Sequence, residues 1–312
     1  MKAVQIKKYG GSEAVEMAKD TPEPKASAGK IVVEIKAAGV NPVDWKIREG
    51  YLDKMAPLTF PATLGGDFSG VVREVGEGVT GFKKGDDVYG TALVLAGGSG
   101  AFAEVALASV KAVALKPKKV NYLEAAALPL AGVSAIQALM EHINLKNGEK
   151  ILIHGGAGGI GTFAVQIAKH IGAYVAATAS TEELDYVKKL GADKAIDYKK
   201  ERFEEVVKDF DSVFDTVGGE TYTRSFMGLK KGGTIVSMLE PPNAELMNRY
   251  GVKAISQFTQ ITSERLVKLG LLVDQGAIKV NIDKIFFLEE VGDALEYLRT
   301  GHPKGKVVVM VE

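Results

Sequence analysis

His154-Gly155-Gly156-Ala157-Gly158-Gly159-Ile160-Gly161 decides the fold of this chain. The run follows the apolar segment Lys150-Ile151-Leu152-Ile153 and opens the periodic segment Thr162-Phe163-Ala164-Val165-Gln166-Ile167-Ala168-Lys169. That order predicts strand, glycine turn, helix. Gly156, Gly158 and Gly161 spell G-x-G-x-x-G, and Gly155, Gly158 and Gly161 spell an overlapping G-x-x-G-x-x-G. Glycines remove side chains where backbone must approach a diphosphate, and a helix N-terminus aims free N–H groups at the same place. Gly156, Ala157, Gly158, Gly159 and Ile160 are therefore the expected cofactor contacts. The competing reading is close helix–sheet packing, which also selects glycine. The strand before and the helix after favour a dinucleotide.

Outward from this turn the chain alternates strand and helix. Expected strands are 151–154, 174–178, 194–196, 212–215 and 234–238, with 253–258 as an edge strand and 263–274 as a closing helix. Leu184, Val187 and Leu190 share one face of a helix over 182–190. The pattern predicts an α/β fold with a doubly wound parallel sheet. Residues 1–125 differ in texture: short alternating runs such as Ile31-Val32-Val33-Glu34-Ile35 and Val71-Val72-Arg73-Glu74-Val75 lie between Gly, Pro and Asp turns. Segments 85–89 and 101–105 are expected to add strands to this partly closed β domain. An Ala- and Leu-rich stretch over 122–139 should be helical, broken at Pro129. After residue 278 the texture is β-like again, at 280–282, 285–287 and 306–311, around a helix at 289–299. The expected organisation is a cofactor domain over 126–277, inserted into a discontinuous β domain of 1–125 and 278–312, with a cleft between them.

Composition narrows the function. The 312 residues carry 39 basic and 39 acidic side chains, so no electrostatic footprint for nucleic acid or an anionic membrane exists. Met1-Lys2-Ala3-Val4-Gln5-Ile6 reads as a strand and lacks a signal peptide's apolar core, which makes a cytoplasmic protein the expectation. There is no cysteine, which removes disulfides, thiolate nucleophiles and cysteine-based zinc sites together. Only four histidines remain, and no metal site is expected.

The cofactor's identity is read from the tip of the second strand, Thr178-Ala179-Ser180-Thr181. NAD-binding folds place a carboxylate there on the ribose hydroxyls. Here small hydroxyl residues leave room for a 2′-phosphate, so NADPH is expected over NADH, with Ser180 and Thr181 as contacts. Ser180 also fits a capping box with Glu183. Tyr198, Lys199 and Lys200 follow the third strand and are expected to close over the adenosine phosphate. Ligands of parallel sheets sit at the carboxyl ends of strands. That rule places Val217 and Gly218 on the cofactor, and Met238 and Leu239 near the nicotinamide.

Longer stretches match a family. They are Ala38-Gly39-Val40-Asn41-Pro42-Val43-Asp44-Trp45-Lys46, Pro61-Ala62-Thr63-Leu64-Gly65-Gly66-Asp67-Phe68-Ser69-Gly70 and Phe82-Lys83-Lys84-Gly85-Asp86-Asp87-Val88. Ala125-Ala126-Ala127-Leu128-Pro129, the glycine run and Leu190-Gly191-Ala192-Asp193 continue the match in order. The chain resembles the medium-chain dehydrogenase/reductase superfamily, in its zinc-free quinone oxidoreductase (zeta-crystallin-like) branch. The resemblance implies a GroES-like β-barrel domain plus a Rossmann domain. Asn41-Pro42-Val43-Asp44-Trp45-Lys46 looks most like the enone oxidoreductases, which reduce the double bond of α,β-unsaturated ketones and aldehydes with NADPH. Relatives that oxidise alcohols on zinc carry a cysteine near Asn41 and Gly-His-Glu where Gly65-Gly66-Asp67 stands here. The resemblance therefore implies a site without that Lewis acid.

The resemblance also implies roles for single residues. It sets Asn41 beside the nicotinamide and ribose, although Asn41 before Pro42 also reads as a turn residue. Asp44 reads as the cap of a helix beginning at Trp45. Lys46 stands where several relatives carry Tyr, and Tyr51 stands one residue short of another relative's tyrosine. Either side chain would stabilise an enolate or supply a proton, and each also reads as an ordinary surface residue. Ser134 is implied to contact the nicotinamide or phosphate region, and Lys306 to lie near the cleft. Without metal, catalysis would be orientation plus charge stabilisation at the carbonyl oxygen. Quinone reduction on the same scaffold is the enzymatic rival, and a non-catalytic NADPH-binding sensor or structural protein is the rival of another class. The apolar segment 252–259 reads as an exposed edge whose pairing would make a homodimer.

Overall fold

The computed structural model describes residues 1–311. They form two compact units: Met1–Leu130 with Ile261–Gly276 and Val280 onward, and Ala131–Gln260 with Ala277–Lys279.

The second unit is built on six parallel strands. In chain order they are Lys150–Ile153, Tyr174–Ala179, Lys194–Asp197, Phe210–Asp215, Leu229–Ser237 and Lys253–Ser256. Their spatial order is third, second, first, fourth, fifth, sixth. This is the doubly wound order, whose switch point lies between the first and fourth strands. Ile151, Leu152 and Ile153 are all fully buried, as expected of a strand covered on both faces. Leu152, Ala176, Ile196, Val213, Ile235 and Ala254, one from each strand, share a core with Phe203, Phe210, Tyr222 and Phe226.

The first unit is β-rich. Its larger sheet runs through Ile282–Phe287, Lys306–Met310, Lys30–Val40, Asp67–Val75, Asp87–Thr91 and Val113–Leu115, with Val105–Ser109 also on Lys30–Val40. Ala3–Ile6, Val15–Ala18 and Ala62–Thr63 make a small second sheet. The core contains Ile31, Val33, Ile35, Phe68, Val72, Val88, Phe102 and Val307. The late strands are therefore part of this unit, as their texture implied.

Several boundaries differ from expectation. Segment 101–104 is not a strand; the strand is Val105–Ser109. Gly100 there has φ +89, and a side chain on it would strike the Thr63 carbonyl, so this stretch turns before pairing begins. The pieces at 280–282 and 285–287 are one strand, Ile282–Phe287. The edge strand ends at Ser256. Helix Ser263–Asp274 belongs to the first unit, where the Leu266 carbonyl accepts the Tyr89 hydroxyl. Its apolar Leu266, Leu269, Leu272 and Val273 are buried, and periodicity alone does not say against which sheet such a face packs. Pro129 opens a new helix, Pro129–Ile136, which runs on into a π-helical turn, Gln137–His142.

Candidate active site

The glycine turn stands at the carboxyl end of Lys150–Ile153, and helix Gly159–Ile171 follows it. Gly155 takes φ +69, the left-handed region glycine favours. A Cβ on Gly161 would lie 2.0 Å from the Gly155 carbonyl oxygen, so this glycine serves close packing within the turn. Gly158 is different: its backbone is extended, and a Cβ there would meet only the Gly155 oxygen at 3.4 Å. No side chain caps the helix at Gly158, and Gly158, Gly159 and Ile160 are partly exposed. Open space over uncapped first-turn N–H groups fits a diphosphate.

His154 holds this turn from below. Its ring is fully buried, with Nδ1 3.1 Å from the Thr178 hydroxyl and Nε2 2.9 Å from the Ser225 hydroxyl. The Ser225 hydroxyl donates to the Thr221 carbonyl, so it accepts from His154 Nε2–H. Thr178 accepts from the Gly155 N–H and donates to Nδ1. Burial lowers the His154 pKa to about 4, so the ring is neutral at physiological pH. Nothing in the local sequence marks His154 for this part; its partners lie 24 and 71 residues away.

Asp215 ends the fourth strand and organises the other side of the switch point. Its Oδ1 accepts the N–H groups of Val217 and Gly218, and its Oδ2 accepts the Ser237 hydroxyl at 2.7 Å. Ser237 Oγ in turn accepts the Leu239 N–H, and the Met238 N–H donates to the Asp215 carbonyl. Asp215, through its buried carboxylate and its main-chain carbonyl, thus fixes Val217, Gly218, Met238 and Leu239 together. Val217 and Leu239 are about half exposed. Ser134 is buried, its hydroxyl 2.7 Å from that of Thr259.

The stretch expected to meet the adenosine carries more carboxylate than the tip of the second strand alone. The Ser180 N–H donates to the Glu183 carboxylate at 3.1 Å, as in the expected capping box, and the Ser180 hydroxyl donates to the same oxygen at 2.7 Å. The Thr181 hydroxyl donates at 2.6 Å to Asp197, the buried last residue of the third strand. Asp197 also accepts the Lys199 N–H, and the Lys200 ammonium lies 3.7 Å away. Tyr198 is half exposed, and the Lys199 ammonium pairs with Glu182 at 3.0 Å. Strand pairing sets Ala179 opposite Asp197; that adjacency is invisible along the chain.

In the first unit, Asn41 follows strand Lys30–Val40 and caps helix Pro42–Arg48. The helix therefore begins at Pro42, not Trp45, because proline suits a first helical position. Asp44 lies inside that first turn, where its Oδ2 accepts the Asn41 N–H at 2.7 Å. Asn41 Nδ2 donates to Asp67 at 2.9 Å, and its Oδ1 accepts the Lys306 ammonium. Lys306 also donates to the Val40 carbonyl at 3.0 Å, and Asp67 accepts the Leu130 N–H at 2.9 Å. All four side chains are buried. Burial, aided by the neighbouring Asp67 carboxylate, raises Asp44 to about 7; burial also raises Asp67 to about 6 and lowers Lys306. Asp67 was noted in the sequence only as a departure from Gly-His-Glu; its bond to Asn41 spans 26 residues.

Lys46 and Tyr51 flank Trp45. The Lys46 ammonium is 5.6 Å from the indole centroid, and the Tyr51 ring meets the indole edge-on at 5.7 Å. Tyr51 is 68% exposed, so its hydroxyl is free to meet a ligand. Among the described residues no group of three His, Asp or Glu side chains is placed to hold a metal ion. No helix of the described residues is long and apolar enough to cross a membrane.

Known proteins resemble this chain in sequence and in fold. Residues 27–118 match the alcohol dehydrogenase GroES-like domain family, and residues 190–309 match the zinc-binding dehydrogenase family. A 2-methylene-furan-3-one reductase of Solanum lycopersicum is 39% identical over 99% of this chain and 79% of its own length. An NADPH-dependent alkenal/one oxidoreductase, chloroplastic, of Arabidopsis thaliana is 36% identical with the same coverage. Among solved structures, the quinone oxidoreductase of Coxiella burnetii superposes with a TM-score of 0.90 at 35% identity, covering 100% of this chain and 99% of its own. The β-rich unit is thus a GroES-like domain, the parallel sheet is a Rossmann domain inserted into it, and the chain belongs to the medium-chain dehydrogenase/reductase superfamily, among its quinone and enone oxidoreductases.

Proposed function

We propose that this protein is a zinc-independent, NADPH-dependent reductase of α,β-unsaturated ketones and aldehydes. The observation that carries the reading is the open, uncapped glycine turn at the switch point, in a chain whose relatives, matched over 79% of their own length, include enone reductases. NADPH, when bound, supplies the hydride. Gly156, Ala157, Gly158, Gly159 and Ile160 take its diphosphate, and Ser180, Thr181 and Tyr198 take the adenosine end. Lys199 answers the 2′-phosphate charge, since its exposed partner Glu182 is a weak competitor. Ser134, Val217, Gly218, Met238 and Leu239 line the rest of the site. Lys306, in the first unit, acts through Asn41.

Hydride adds to the β-carbon, the double-bond electrons move onto the carbonyl oxygen, and a proton then completes the α-carbon. Asn41 donates a hydrogen bond where that negative charge develops, and Lys46 or Tyr51 supplies the proton. The sequence has no cysteine to furnish the thiolate ligands carried by the zinc-dependent relatives, which supports chemistry without zinc. The outer edge of strand Lys253–Ser256 ends the sheet, and Phe258 beside it is 74% exposed, which supports a homodimer, here taken as cytoplasmic.

The test is NADPH oxidation against an alkyl vinyl ketone, with product identified. Saturable consumption yielding saturated ketone is expected. Turnover with quinones alone would move the protein to the quinone reductases, a reading favoured by the Coxiella structure. Tight NADPH binding with no turnover on any acceptor would make it a sensor, and a single-chain mass in light scattering would remove the dimer.

A further inference from the structure

Asp67, Asn41 and Lys306 come from the same end of three adjacent strands. Gly39 pairs with Asp67, and Val40 pairs with Val307. The three side chains meet although 26 and 265 residues separate Asn41 from its partners. All are buried, as is Asp44, which holds the Asn41 main-chain N–H.

The chemistry of these partners is one-sided. An ammonium only donates and a carboxylate only accepts. An amide between them has one permitted orientation, with oxygen toward Lys306 and nitrogen toward Asp67. Turned over, it would set N–H against the ammonium and oxygen against the carboxylate. We propose that Asp67 and Lys306 are positioning residues that lock the Asn41 amide so that its remaining N–H is the hydrogen-bond donor offered in the reaction. Asn41 Nδ2 spends one hydrogen on Asp67, which leaves the other. A turn residue before proline needs neither charge, and apolar residues would fill the same space with less desolvation cost. Opposite charges on opposite ends of one amide are what fixing its direction requires.

The inference rests on the reductase reading, and its test separates the two. Kinetics with NADPH and the vinyl ketone are measured for wild type, D67N, N41A, D67N/N41A and D67N/K306M. The last variant removes both charges of the lock together, so neither is left buried without the other. D67N is expected to lower kcat about tenfold with KM little changed, because an interaction made only in the transition state is lost. In the N41A background D67N is expected to be silent on kcat, because its effect passes through the amide. An equal loss in that background, or a fall in melting temperature with unchanged kcat, overturns the proposal. A second readout needs no turnover: the Asn41 side-chain N–H protons exchange slowly with solvent in wild type, where Asp67 holds one of them, and faster in D67N/K306M. Identical exchange in both proteins overturns the lock. A wild type without turnover but with this exchange difference would sink the reductase reading while keeping the lock.

Discussion

Gly158 and Gly161 stand three residues apart in one turn, yet they answer different physical demands, and one pair of variants separates them. In G161A the new Cβ would stand 2.0 Å from the Gly155 oxygen, where ordinary contact begins at 3.4 Å. Backbone must retreat by about 1.4 Å, a cost of about 1–3 kcal/mol or more for an overpacked interior. The unfolding midpoint should fall by about 2–12 °C, at about 2–4 °C per kcal/mol. In G158A the backbone is already extended and the methyl group meets only the Gly155 oxygen at 3.4 Å. Its stability should stay within about 1 kcal/mol of wild type, because alanine fits an unstrained position. That methyl group would occupy the open space at the turn where the diphosphate is proposed to lie. Losing one charge-assisted hydrogen bond to a diphosphate costs about 1.5–3 kcal/mol, so the Kd for NADPH should rise between about tenfold and about 150-fold. Calorimetric titration with NADPH and thermal unfolding of both variants measure the two effects. Wild-type affinity in G158A would refute the claim that the diphosphate lies on this turn. Wild-type stability in G161A would refute the packing argument.

Three further outcomes are expected. K199A should raise KM for NADPH by about tenfold, the worth of one charge-assisted contact, while leaving KM for NADH nearly unchanged; equal effects on both would remove the 2′-phosphate contact. The double variant K46M/Y51F should lose about 10²-fold in kcat on an enone if a side chain supplies the proton, and an unchanged kcat would assign that proton to solvent. Asp44 titrates near pH 7 in the fold against 3.8 in its ordinary state, so the native protein holds more protons than the unfolded chain between these values. Stability from this group is complete below about pH 4 and lost as pH rises toward 7. D44N keeps an acceptor for Asn41 without the charge. It should gain on wild type in urea unfolding as pH rises from about 4.5 to 7.5, and a constant difference would show that Asp44 does not titrate there.

The sequence by itself determined the order of elements, the glycine turn and the class of cofactor. Those signals are local: a strand, a turn and a helix are each written within a few residues of one another. Asn41, Lys46 and Tyr51 are proposed from likeness to the family around Pro42, not from local periodicity. Only the tertiary structure decided what surrounds them. Asp67 and Lys306 reach Asn41 because three strand ends are neighbours, and Asp197 reaches Thr181 because parallel pairing sets Ala179 beside it. His154 supports the glycine turn through Thr178 and Ser225, and Asp215 ties two strand ends together. The helix over 263–274 shows its apolar face in sequence but not the sheet that covers it. Periodicity reports which side of an element avoids water; strand order alone brings distant side chains within hydrogen-bonding distance, where burial then forces every charge to find a partner.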